Sequence, residues 1–145
     1  MTSDASRPGD AGDLTRALVA ELSKRTGVCW IRHEDRTHPV WHVWCDGAVC
    51  LVSGGSEQPM PDLADGDRVE VLMRSKDTGG RLLTWTGEVS VVRPGDEEWG
   101  STTAALVAAR LNLPDPATAA DRWARDSVVR RVVPTGDALE ASHLS

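Results

Sequence analysis

Residues 39–53 read PVWHVWCDGAVCLVS. Val40 to Cys45 is an apolar run with β-branched side chains and tryptophan on both faces, which suits a pleated, half-buried strand. Asp46-Gly47 is a strong hairpin signal, because both residue types tolerate the positive φ of a two-residue turn. Ala48 to Ser53 returns as a second, almost wholly apolar strand. The stretch therefore reads as an antiparallel hairpin, and its neighbours can be placed from it.

Upstream, the spacing Leu14, Ala17, Leu18, Leu22 predicts a helix with Asp13 as N-cap and Gly27 as its end. Val28 to His33 reads as a strand and Arg36-Thr37-His38-Pro39 as a turn. Downstream, Gly54 to Pro59 is a loop, followed by polar chain to Asp67. Arg68 to Lys76 alternates, with Val69, Val71 and Met73 on one face. Asp77 to Arg81, with Gly79-Gly80, makes a turn. Leu82 to Arg93 is a long strand in which Gly87 marks an expected bend or bulge. After Pro94-Gly95, Ser101 is placed as the cap of a helix carrying Leu106, Val107, Arg110 and Leu111. Asp115-Pro116 opens another with Ala119, Ala120 and Trp123. Ser127 to Val133 is the last strand.

The expected class is mostly β (α+β), six strands forming a barrel or a sandwich, with an N-terminal helix and one or two helices before the last strand. Closure into a barrel removes exposed edges. Residues 1–11 are expected to be a disordered tail, 12–134 one domain, and 135–145 a flexible tail.

Composition excludes several classes. A net charge of −6 over 145 residues argues against nucleic-acid binding, which needs a basic face. No run approaches the ~20 apolar residues of a membrane span. Met1 to Gly12 lacks the basic flank and apolar core of a signal peptide, so a cytoplasmic protein is expected. The three cysteines, Cys29, Cys45 and Cys50, form no metal-binding spacing and read as reduced thiols. There are six tryptophans and no phenylalanine or tyrosine. A cluster of tryptophans beside a pocket would suit a planar ligand.

Four groups of residues carry candidate chemistry. Arg74, Ser75 and Lys76, with Arg81, flank a glycine turn and would suit an anion; the alternative is a solvated hairpin end. Ser53-Gly54-Gly55-Ser56 could cradle a phosphate or simply turn the chain. His42 and Trp44 share a strand face and could border a ring or pack in a core. His33, His38, His42 and Cys45 are close in sequence, but nothing makes them converge on a metal, and no metal is expected. Cys45 and Cys50 flank the hairpin turn without a basic neighbour to activate them.

The element order resembles that of the FMN-binding split barrels of the pyridoxamine 5'-phosphate oxidase-like family. The residues that carry the match are Pro39-Val40-Trp41-His42-Val43-Trp44 into Asp46-Gly47, Val49 to Gly55, and Gly66-Asp67-Arg68-Val69-Glu70-Val71. Arg74 to Asp77, Gly79-Gly80-Arg81 and Trp85 to Val89 continue it. The resemblance implies a homodimer with FMN in a groove at its interface, held through its phosphate, and redox chemistry on a small molecule supplied by the flavin. It places Ser53 and the position of Gln58 near the phosphate. Gln58 stands where a lysine is usual, so it donates hydrogen bonds without charge. Arg74, Lys76 and Arg81 would then carry the phosphate, with Ser53, Ser75 and Gln58 adding hydrogen bonds and His42 and Trp44 beside the ring. The alternatives are a relative holding a deazaflavin, a haem-handling one with His42 or His33 as axial ligand, and a non-enzymatic barrel that has lost flavin.

Overall fold

The computed structural model describes residues 8–75, 81–110, 113–137 and 140–142. The chain runs α1 (Pro8–Arg25), β1 (Val28–His33), β2 (Arg36–Trp41), β3 (Val43–Cys45), β4 (Ala48–Ser53), β5 (Arg68–Ser75) and β6 (Arg81–Val92). It continues with α2 (Trp99–Ala109), a 3₁₀ turn (Pro116–Thr118), α3 (Ala119–Asp126), β7 (Val128–Pro134) and β8 (Glu140–Ser142). Seven strands form one curled antiparallel sheet in the order β2-β1-β5-β6-β7-β4-β3. The short β8 pairs with Leu82 to Thr84 of β6. The protein is thus mostly β with three helices, as expected, but has more strands than the six counted from sequence.

The extra strands have local causes. The expected strand 40–45 divides at His42: Trp41 pairs with Val28 of β1, while Val43 pairs with Cys50 of β4. The chain changes partner there, and the His42 N–H donates to the Gly27 carbonyl at 3.1 Å. The expected turn at Arg36–Pro39 is instead part of β2. The turn is Glu34-Asp35, whose φ values of 51° and 65° suit a tight two-residue hairpin. Pro39 is tolerated because β2 is an edge strand, paired among the described residues with β1 alone. β8 lies in the segment expected to be loose.

Three further expectations are corrected. Helix α1 begins at Pro8, not Asp13. Its buried positions include Gly12, Thr15, Val19 and Ser23, while Leu14 and Leu18 stand 64% and 48% exposed. Helix α2 begins at Trp99, and the Ser101 hydroxyl bonds the Glu98 carbonyl instead of capping. Gly87 makes no bulge: its ladders to Val69 and Pro134 run unbroken. Glycine is needed because a Cβ would fall 2.4 Å from Val132 Cγ1 and 3.0 Å from the Trp85 ring.

β4 is buried along its whole length because it has a core on each face, which explains its near-continuous apolar run. Val49 and Leu51 point into the barrel with Val19, Ile31, Val71, Met73, Trp85 and Val132. Cys50 and Val52 point the other way, under Leu106 of α2 and Ala119 and Trp123 of α3.

Candidate functional site

Ser53 ends β4, and the loop after it folds back so that Ser53 and Gln58 form a bridge. Gly54 and Gly55 supply the left-handed backbone of the turn, with φ of 86° and 64°. The Gly54 N–H donates to the Gln58 carbonyl, and the Glu57 N–H to the Gly54 carbonyl. The loop is closed on itself and against the start of β7, where Ser127 donates to the Gly54 carbonyl.

The Gln58 side chain is committed inside this structure. Its Nε2 donates to the carbonyls of Trp41 at 2.9 Å and Val52 at 3.2 Å, and its Oε1 accepts the Trp41 N–H at 2.7 Å. It thereby ties β2 to β4 at the gap where no ladder forms. Ser53 is 3% exposed and its hydroxyl accepts from Arg130 Nη1 at 3.0 Å.

Arg130 is a site residue that sequence reading missed. It lies on β7 in Val-Val-Arg-Arg-Val-Val, and alternation alone does not say which of the two arginines turns inward. Arg130 does, with 4% exposure, and Nε donates to the Leu63 carbonyl at 3.0 Å. Burial pulls its guanidinium below the ordinary value, partly offset by Asp62. It lines a groove of about 560 Å³ at the ends of β6 and β7, together with Asp62, Arg93, Trp99 and Trp123.

The other predicted residues lie elsewhere. Arg74 is exposed at the end of β5, where the main chains of Ser75 and Arg81 pair. The side chains of Ser75 and Arg81, and all of Lys76, lie outside the described residues. Leu82, opposite Arg74, is separated from Val92, level with Val52 through Val129, by on the order of 30 Å along β6. One protomer therefore does not bring Arg74 to Ser53 and Gln58.

His42 is 3% exposed beneath α1, with Nε2 3.4 Å from the Ser23 carbonyl. Burial lowers its pKa to about 4. Trp44 is half-buried against the barrel core on the same side. A ring could touch His42 only if α1 moved, so the expected place of His42 beside a ring, or as a haem ligand, conflicts with its burial. His33 lies at the other end of β1, 3.9 Å from Asp67 Oδ2. Among the described residues, no group of three or more His, Cys, Asp or Glu could hold a metal ion.

A second cluster stands next to Gln58. Glu57, with its side chain 7% exposed, accepts from Trp123 Nε1 at 3.1 Å and pairs closely with Arg110. The Arg110 guanidinium lies 5.3 Å from the centre of the Trp41 ring.

No protein-family model and no curated protein matches the sequence. Solved structures do match. HutZ, the haem storage protein of Vibrio cholerae, aligns with a TM-score of 0.58 at 14% identity, over 87% of this chain and 93% of its own. The FAD-binding protein of Mycobacterium smegmatis aligns with a TM-score of 0.58 at 15% identity, over 89% and 96%. An F420 reductase aligns with a TM-score of 0.52 at 19% identity, over 83% and 94%. The fold is the split barrel. It is the architecture of the flavin-binding, pyridoxamine 5'-phosphate oxidase-like proteins that the sequence resembles, and at these identities the likeness is one of fold.

Ser53 and Gln58 do not fit the phosphate that the resemblance would place beside them. Both Gln58 donor directions are used, Ser53 is buried on Arg130, and the neighbouring side chain is the Glu57 carboxylate. A phosphate bridging Ser53 and Gln58 would find no free donor on Gln58 and the Glu57 carboxylate beside it, and the nearby cation, Arg130, has Nε and Nη1 committed to Leu63 and Ser53 and turns Nη2 toward Asp62.

Proposed function

We propose that two copies of this chain assemble around a planar redox cofactor of the flavin class, FMN or a deazaflavin, and act as an oxidoreductase on a small molecule. The shared fold with an FAD-binding protein and an F420 reductase supports this reading. One observation carries it. Arg74 lies at the opposite end of β6 from Gln58 and Trp41, and in this reading a second copy would bring the two ends to one ligand. The outward Leu14 and Leu18 of α1 are apolar surface that a twofold partner could cover. A bound flavin would supply the hydride chemistry. Because Ser53 and Gln58 do not fit its phosphate, the anion is assigned to the Arg74 end.

The test is a visible absorption spectrum after incubation with FMN, FAD, F420 or haem and desalting, with light scattering on the same sample. The expected results are retained flavin or deazaflavin bands, their loss in Arg74→Ala, and a mass near twice the 15.6 kDa chain. A colourless protein, or a monomer, overturns the reading. The internal commitment of Gln58 and Ser53 favours one alternative, a split barrel that binds a different small ligand without redox chemistry. A colourless dimer is the outcome that alternative expects.

A further inference from the structure

We propose that the groove beside Arg130 is a binding site, complete within one protomer, for a small carboxylate carried on a flat apolar body. It does not depend on the cofactor reading above.

The first observation is a buried charge with a poor internal partner. A guanidinium keeps its charge in proteins and offers five N–H groups. In Arg130 the bonds to the Leu63 carbonyl and the Ser53 hydroxyl hold Nε and Nη1 to neutral acceptors. Among the described residues, the one carboxylate paired with it is Asp62, 3.5 Å from Nη2. The Arg130 side chain is 5% exposed, whereas that of Asp62 is fully exposed at 105%. A fully solvated carboxylate returns little of the cost of burying a cation. A carboxylate brought into the groove would meet Nη2 away from water and form the stronger, charge-assisted pair.

The second observation is the shape and lining of the groove. Its volume of about 560 Å³ lies within the ~300–1,000 Å³ of small-molecule sites. Half-buried Trp99, backed by the buried Val92, Trp123 and Val129, gives an apolar wall, and the exposed part of the Trp99 ring suits a flat body. At the rim, Arg93 is paired with Asp65 at 3.4 Å and is exposed, so it adds little net attraction. The polar head of a ligand is thus directed to Arg130, and its body to Trp99. Asp62 occupies the place of the head and would be displaced.

This places Asp62 as a competitor, which separates the proposal from a purely structural role for Arg130. Asp62 is on the surface, so Asp62→Ala should fold normally. Indole-3-acetate, benzoate, acetate and inorganic phosphate would be titrated into the full chain by calorimetry, with the indole N–H signals followed by NMR. Saturable binding of the two aromatic carboxylates is expected, with acetate weaker by about tenfold or more. The expected signature is tighter binding in Asp62→Ala and lost binding in Arg130→Met. Equal affinity for acetate and indole-3-acetate would remove the apolar body from the proposal. Preference for phosphate over the carboxylates would also overturn it, as would unchanged or weaker binding in Asp62→Ala. If one equivalent of FMN abolishes indole-3-acetate binding, the groove belongs to the cofactor and the proposal fails. A protein that stays colourless with flavins but binds indole-3-acetate would retain this site and discard the cofactor reading.

Discussion

The Gln58 side-chain amide pairs with both main-chain polar groups of Trp41, donating to its carbonyl at 2.9 Å and accepting its N–H at 2.7 Å. This is the geometry of a strand pairing, made by a side chain. The second Gln58 donor reaches Val52, so one residue closes β2 against β4. Gln58→Ala leaves three main-chain groups without partners. We expect a loss of about 2–3 kcal/mol in urea unfolding. Gln58→Lys should be destabilised to a similar degree, because an ammonium cannot accept the Trp41 N–H. Wild-type stability in either variant would contradict the clasp.

Gly87 sits where strand neighbours crowd it. An added methyl group would lie 2.4 Å from Val132 Cγ1. Gly87→Ala should cost about 1–3 kcal/mol by overpacking. Combining it with Val132→Ala should recover part of that loss, as a double-mutant cycle in the same unfolding assay would show.

His42 makes stability depend on pH. Its folded pKa, about 4, lies below the ordinary 6.5 because burial disfavours the imidazolium. Between those values the unfolded chain binds the proton more readily than the folded one. The contribution is full above about pH 6.5, falls as the pH drops toward 4, and changes no further below that. The total is on the order of 3 kcal/mol. Unfolding midpoints across this window should show the slope in the wild type and a flatter profile in His42→Gln.

Glu57 anchors two helices to the loop after β4 through Arg110 and Trp123. Glu57→Gln removes the charge that Arg110 faces and should destabilise the fold by about 2 kcal/mol. In Glu57→Ala, where Trp123 Nε1–H loses its acceptor and gains water, tryptophan emission should shift to longer wavelength. An unchanged spectrum would count against this anchoring role.

The thiols should be inert. Burial pushes Cys29 and Cys50 up to about 12. Cys45 is also raised, by burial first and then by Asp46. With a disulfide reagent at neutral pH, the folded protein should show slow reaction at Cys45 and none at Cys29 or Cys50, and all three should react in denaturant. Fast labelling of Cys45 would reopen a nucleophilic role.

Most of the order of strands and helices was legible in sequence because turn chemistry and periodicity are local, though Arg36 to Pro39 read as a turn and β8 as a loose tail. Asp46-Gly47 specifies its hairpin wherever it sits, and the alternation of Arg68 to Ser75 marks a strand with one buried face. The break at His42 was not legible, since a change of pairing partner leaves no mark on residue type. Nor was the inner face of α1, where Leu14 and Leu18 turn outward while Thr15 and Ser23 pack inward. The same limit applies to the site. Ser53 and Gln58 could be named as polar groups at the end of a strand, but hydrogen-bond partners far along the chain decide whether they are free. Gln58 is spent on Trp41, and Ser53 on Arg130, whose distance in sequence hides the contact. Local patterns determined a mostly β chain of hairpins flanked by helices; only the closure of the sheet determined which polar groups remain for a ligand, because that depends on residues brought together from β4, β7 and the loop between β4 and β5.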